Sequence, residues 1–255
     1  MYKQYLPFAI KLAKEAGELI RPYAGKAGQQ TLKSAKDFVT EMDLKAEKLI
    51  IDRIQETYPD HRIFSEEAGS IGGKDEFEWV IDPIDGTINY SFGVPLYGVS
   101  IALTYQNNPV VSAISLPAFG ETYWAAKGEG AYLNGNAINI RNASLAEAFI
   151  SIGDFAKDAN KQTNKERISL LENIVNDVYR VRMIGTAAVT LAYIACGKLD
   201  IAVYYKPNFY DIAAGQLLVC EAGGAIQTIG NYTVIADQKI IDEIAPLLPV
   251  QHTTA

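Results

Sequence analysis

The apolar positions of the chain switch between two periods, and the switches mark out its elements. Across residues 5–23, Phe8, Leu12, Ala16, Leu19 and Tyr23 recur at helical spacing and predict a first amphipathic helix, broken by the stretch 25–28. A second stripe, Met42, Ala46, Leu49, Ile50 and Ile54, predicts a helix that Tyr58-Pro59-Asp60 ends. Ahead of it, Thr40 and Asp43 are spaced as a capping box, with Asp43 standing where Glu or Gln is usual. Arg62–Ser65 reads as a short strand opening into Glu66-Glu67 and a glycine-rich loop, 69–73. Trp79-Val80-Ile81 is a continuous apolar run that suits a strand buried on both faces. Strand signals at 99–105, 110–116 and Glu121–Ala126, followed by the hairpin turn Leu133-Asn134-Gly135-Asn136, predict an antiparallel meander. Its aromatics (Tyr105, Phe119, Tyr123, Trp124, Tyr132) read as core and cross-strand packing.

Beyond residue 142 helix and strand alternate. Strands are predicted at 148–152, 179–183, Ile201–Tyr205, Ala225–Ile229 and 233–236, and helices at 165–178, 185–196, 211–221 and 240–247. This pattern indicates a layered α/β arrangement with sites at strand C-termini. No low-complexity linker or repeat interrupts it, so halves 1–141 and 142–255 are expected to pack as one globular unit.

Composition narrows the function classes. A net charge of −7 over 255 residues makes a general nucleic-acid or anionic-membrane binder a poor fit. It leaves anionic substrates open, because a bound divalent cation reverses the local field. The cysteines, Cys196 and Cys220, fall in apolar helical stretches without framework spacing and read as reduced, buried thiols. His61 and His252 are isolated, which argues against zinc. The N-terminal residues carry no signal-peptide pattern, and the apolar stretch 184–197 is too short to span a membrane. The expectation is a soluble, cytoplasmic protein.

Candidate chemistry gathers at Asp82-Pro83-Ile84-Asp85-Gly86-Thr87. In an unbroken strand Asp82 and Asp85 would point to opposite faces; Pro83 predicts a turn, which can bring both carboxylates to one side. Two close carboxylates repel unless a cation intervenes, and oxygen-only ligands favour Mg²⁺. Gly86 and Thr87 offer backbone N–H groups to a phosphate. The plainer alternative is an Asp-Pro turn with Asp85 capping a helix. Glu66-Glu67, as a solvated surface pair, and Asp211, as an N-terminal capping residue, admit plain readings too. Gly185-Thr186, at a helix start, is a natural anion position.

Taken together, Asp37-Phe38-Val39-Thr40-Glu41-Met42-Asp43, Glu66-Glu67, Asp82-Pro83-Ile84-Asp85-Gly86-Thr87, Gly185-Thr186-Ala187-Ala188 and Tyr210-Asp211-Ile212-Ala213-Ala214-Gly215 come in the order and approximate spacing of the inositol monophosphatase family. The chain resembles that family, whose relatives include fructose-1,6-bisphosphatases and bisphosphate nucleotidases. The resemblance implies a layered αβαβα sandwich, a homodimer, two or three Mg²⁺ ions and sensitivity to lithium. It implies metal ligands at Glu66, Asp82, Asp85, Asp211 and the Ile84 carbonyl. Asp85, Gly86, Thr87 and Asp211 would contact the substrate, with the Gly86 and Thr87 amides holding its phosphate. Thr87 with Asp43, together with Glu66, would orient or deprotonate the attacking water. Gly185, Thr186 and Ala187 would touch the alcohol portion.

Tyr210 replaces the family's usual Trp. Tyr204 stands where animal inositol enzymes carry a ring-binding Glu, and Lys206 lies two residues on; both are expected at the substrate. The implied activity is hydrolysis of a small phosphorylated polyol, inositol monophosphate first. The alternatives are fructose 1,6-bisphosphate, a 3′-phosphoadenosine-type nucleotide or NADP, and, from another class, a regulatory partner of the transcription machinery.

Overall fold

In the computed structural model, the described residues are 2–26, 30–34, 37–155 and 161–249. Residues 27 and 28 of the predicted break, and His252, lie outside them. The chain opens with helix α1 (Leu6–Ile20), a hairpin of β1 (Gln30–Ser34) and β2 (Asp37–Thr40), and helix α2 (Glu41–Thr57). The strands β3 (Arg62–Ser65), β4 (Gly69–Ile71) and β5 (Phe77–Asp85) follow, then a short helix α3 (Thr87–Ser91). The meander is β6 (Gly98–Tyr105), β7 (Asn108–Leu116), β8 (Glu121–Ala126), β9 (Ala131–Leu133) and β10 (Asn136–Ile138). The remainder runs β11 (Phe149–Ile152), α4 (Lys161–Ile174), β12 (Arg180–Arg182), α5 (Ala187–Ala195), β13 (Ile201–Tyr205), α6 (Phe209–Glu221), β14 (Ala225–Ile229), β15 (Tyr232–Ala236) and α7 (Gln238–Ile244).

Strands β3 to β10 form an eight-stranded sheet and β11 to β15 a five-stranded one. Alternation along the strands feeds separate cores. Trp79, Ile81, Ile101 and Leu103 face Leu12, Ala16, Ile50 and Ile54 of α1 and α2, whereas Val80, Ala102 and Ile114 face Leu191, Leu218 and their neighbours on α5 and α6. A third core packs the outer face of the smaller sheet against Leu170 and Ile174 of α4 and Ile240, Ile241 and Ile244 of α7. The layers are thus helix, sheet, helix, sheet, helix, the predicted αβαβα sandwich. The α5–α6 layer is wanted on both sides, which is why these helices are apolar nearly all round.

Some details differ from expectation. The stretch 69–73 supplies an edge strand, β4, as well as a loop, and α4 begins earlier than 165. Phe119, at a turn tip, is exposed, while Trp124 and Tyr132 do stack across strands. Cys220 is exposed, on the last turn of α6 and off the core face, so the expectation of two buried thiols holds for neither fully; Cys196 is half-buried, and both are free. Among the described residues, no helix is long and apolar enough to cross a membrane.

Candidate active site

The strand bearing the two aspartates does not turn at Pro83. β5 continues to Asp85, with Asp82 opposite Ser100 and Asp85 opposite Gly98 on β6. Three steps on β5 against two on β6 make a bulge of one residue, placed where the proline cannot donate to the ladder. The extra residue changes the parity of the strand, so carboxylates three apart both reach the same cavity. β3 runs parallel to β5 with Ser65 opposite Ile81, and the Glu66 amide donates to the Ile81 carbonyl at 3.2 Å. Glu66 therefore leaves its strand level with Asp82.

Gly86 follows at φ +91°, where a Cβ would meet the Leu96 carbonyl oxygen at 2.9 Å and Thr186 Cβ at 3.2 Å. The position needs glycine for both conformation and space. Thr87 opens α3; its hydroxyl donates to the Ile84 carbonyl at 3.0 Å and lies 3.3 Å from Asp43 Oδ1. Asp43 is held in turn by the capping box of α2, accepting from the Thr40 amide at 2.9 Å. It serves as a cap and as a partner of Thr87 at once, because its two oxygens face different neighbours.

The second half closes the site. Thr186 caps α5 and donates to Asp85 Oδ2 at 2.9 Å, and the Ala188 amide donates to the same oxygen. Asn89 Nδ2 bridges the Leu96 and Ile184 carbonyls, at 2.8 Å each, and so ties the loop before Gly185 to the first half. Asp211 sits in the first turn of α6, where Asn208 Nδ2 donates to it at 3.1 Å.

Glu66, Asp82, Ile84, Asp85, Gly86, Thr87, Gly185, Thr186, Ala187, Tyr204, Lys206 and Asp211 all line one cavity of about 360 Å³. Of the residues expected to hold metal or substrate or to act on the water, Asp43 alone does not line it and stands behind Thr87; Glu67, the other half of the acidic pair, does not line it either. Tyr204 reaches the wall with its hydroxyl buried and lacking a hydrogen bond of good geometry, and burial beside Asp85 and Asp211 raises its pKa. Lys206 adopts φ +45° and points its ammonium over the Tyr205 ring, 5.5 Å from the centroid. The Arg167 guanidinium also lies over that ring, 5.7 Å from its centroid. Arg167 carries no local signal in the sequence, since only the fold brings α4 to the cavity. Glu47 and Asn89 were missed as well, though Glu47 stands one helical turn after Asp43 on the same face of α2.

The electrostatics are those of crowded, like charges. Burial, then the charges of Glu66, Asp85, Asp211 and Asp43, hold the Asp82 carboxyl well above its ordinary range. Burial and Asp211 push Asp85 up to about 7, against the two donors on its Oδ2. Asp43 is raised by burial, with Thr40 opposing. Among the described residues the acids are not drawn into a finished metal-holding group of three or more. They nevertheless fit a hard cation. Asp82 Oδ1 is buried and accepts no hydrogen bond, while the carboxyl feels the charges of Glu66, Asp85 and Asp211. A divalent ion would satisfy that orphan oxygen and the repulsion together.

The family model described as "Inositol monophosphatase family" matches residues 1–245. A fructose-1,6-bisphosphatase/inositol-1-monophosphatase of Thermotoga maritima is 36% identical over 223 residues, 87% of this chain and 83% of that protein. The Nus factor SuhB of Escherichia coli K12 is 38% identical over 227 residues, 87% of this chain and 84% of that one. Among solved structures, the Thermotoga maritima IMPase superposes with a TM-score of 0.86 at 32% identity, covering 95% of both chains. The suhB protein of Bartonella henselae gives 0.88 at 29% identity, covering 94% of this chain and 96% of that one. With motifs, layers and relatives in agreement across nearly its whole length, the chain belongs to the inositol monophosphatase family.

Proposed function

We propose that the protein is a Mg²⁺-dependent phosphomonoesterase acting on a small phosphorylated polyol, with inositol monophosphate as first choice. The observation that carries this reading is the convergence on one cavity of Glu66, Asp82, Asp85 and Asp211, with a buried oxygen of Asp82 left unsatisfied. Glu66, Asp82, Asp85, Asp211 and the Ile84 carbonyl would hold the cation. When bound, Mg²⁺ supplies charge neutralisation at the phosphoryl oxygens and an acidified water.

The chain's own residues do the rest. The Gly86 and Thr87 amides would hold the phosphoryl group, on a turn that only glycine fits because a Cβ at Gly86 would meet the Leu96 carbonyl oxygen and Thr186. The Thr87 hydroxyl, backed by Asp43, accepts a hydrogen bond from the attacking water or passes its proton inward. Thr186 and the Ala188 amide keep Asp85 aimed from across the halves. Gly185, Thr186 and Ala187 offer the wall for the alcohol.

One observation favours a second reading of the substrate. Arg167 and Lys206 both lie over the Tyr205 ring and line the same cavity, a pair of cations suited to a second anionic group. A sugar bisphosphate would use them; inositol monophosphate would not. Phosphate release with Mg²⁺ from inositol monophosphate, fructose 1,6-bisphosphate, 3′-phosphoadenosine 5′-phosphate and NADP decides between them. The first choice expects the highest kcat/KM for the monophosphate. Dominant turnover of a bisphosphate removes inositol, and no release from any ester removes the phosphatase reading.

A further inference from the structure

Glu47 is a buried carboxylate with an unusual set of partners. Its Oε1 accepts from the Ala68 amide at 2.9 Å, from the Glu67 amide at 3.2 Å and from the Ser65 hydroxyl. Those three donors bracket Glu66 on both sides, while the amide of Glu66 itself is fixed by Ile81. Four successive residues are thus pinned, two anchors working from opposite directions, and the one side chain they leave to face the cavity is that of Glu66.

The anchor comes from a helix with a second task. Glu47 is four residues beyond Asp43 on α2, so both project from one face. Asp43 reaches Thr87 and Glu47 reaches the turn after β3, so the first turns of one helix fix two separate parts of the cavity wall. A buried carboxylate accepting from two amides and a hydroxyl is well satisfied and holds its geometry tightly. No stability argument requires that this satisfaction fall on the residues either side of Glu66.

We infer that Glu47 is a positioning residue for the cation site: as a hydrogen-bond acceptor, it sets where Glu66 stands. The inference rests on the proposed role of Glu66 as a cation ligand. Groups that orient ligands through hydrogen bonds are worth about 10–100-fold in metal affinity. Glu47 acts through the backbone around Glu66, so the lower end applies.

The test is calorimetric titration of the full-length, metal-stripped protein with MgCl₂, alongside thermal melts that report folding. Glu47→Ala is expected to weaken Mg²⁺ binding about tenfold while melting cooperatively. Glu47→Gln, which keeps an acceptor oxygen at the same reach, is expected to stay within about threefold of wild type. Lys48→Ala, on the solvent side of α2, serves as the unaffected control. A folded Glu47→Ala protein binding as tightly as wild type overturns the inference, as does a Glu47→Gln protein binding as weakly as Glu47→Ala. Should Glu47→Ala not fold, Glu47→Asp decides, because its arm is one methylene short of the three donors; unchanged affinity there is equally fatal. Wild-type protein that binds no Mg²⁺ is a different result: it sinks the proposed function, and this inference with it.

Discussion

Replacing Asp85 by Asn should make the metal-free protein more stable while removing its response to Mg²⁺. Moving a carboxyl from its ordinary 3.8 to about 7 corresponds to about 4 kcal/mol, at about 1.4 kcal/mol for each tenfold change in proton affinity. The folded-state pKa is the higher one, so the unfolded chain ionises first and stability falls as pH rises from 3.8 to about 7. Above that the full penalty applies; at pH 5 less than half of it does. Asn keeps an acceptor for the Thr186 hydroxyl and the Ala188 amide but carries no charge toward Asp211. Recovery of about half the penalty, roughly 2 kcal/mol at pH 8, is expected, since the amide still gives up its hydration. For a chain of this size that is a rise of about 4–8 °C in Tm. Thermal melts of wild type and Asp85→Asn at pH 5 and pH 8, with EDTA and with Mg²⁺, measure it. Wild type should gain stability with Mg²⁺ at pH 8, and the variant should gain little and release almost no phosphate. A variant less stable than wild type at pH 8 without metal, or one equally stabilised by Mg²⁺, would refute the reasoning.

Thr87→Ala should lower kcat about 100-fold with little change in KM, because the hydroxyl acts on the water; steady-state kinetics showing a raised KM with normal kcat would contradict this. Lys206→Ala should raise KM for a bisphosphate substrate several-fold, on the order of what one exposed charge contributes, and leave the monophosphate unchanged; equal effects on both place the lysine outside the substrate contact. His61 stacks between Tyr58 and Phe77 and accepts from Trp79 Nε1 at 3.1 Å on Nδ1. Burial lowers its pKa, with Asp75 opposing, so its contribution to stability is present above pH 6.5 and is lost as pH falls below it. An NMR titration giving this imidazole a pKa at or above 6.5 would contradict the packing argument.

The layers were legible because periodicity reports burial. The apolar stripes of α1 and α2 and the continuous run in β5 state how many faces each element buries. The acids of the site were legible for a different reason: Asp82, Glu66 and Asp211 follow or begin elements whose ends the pattern marks. What local sequence hides is pairing. Pro83 is compatible with a turn or a bulge, and only the register against β6 distinguishes them. Asn89 and Arg167 have roles defined by partners about a hundred or forty positions away, which no window contains. Glu47 sat in plain view at helical spacing from Asp43, but its partners belong to a turn that had first to be folded.

The most direct test of the central claim is anomalous diffraction from crystals soaked in Mn²⁺ and inorganic phosphate. Manganese is expected in contact with Asp82 Oδ1 and shared among Glu66, Asp85 and Asp211, with phosphate against the Gly86 and Thr87 amides. Manganese bound elsewhere while these four carboxylates stay metal-free would contradict it.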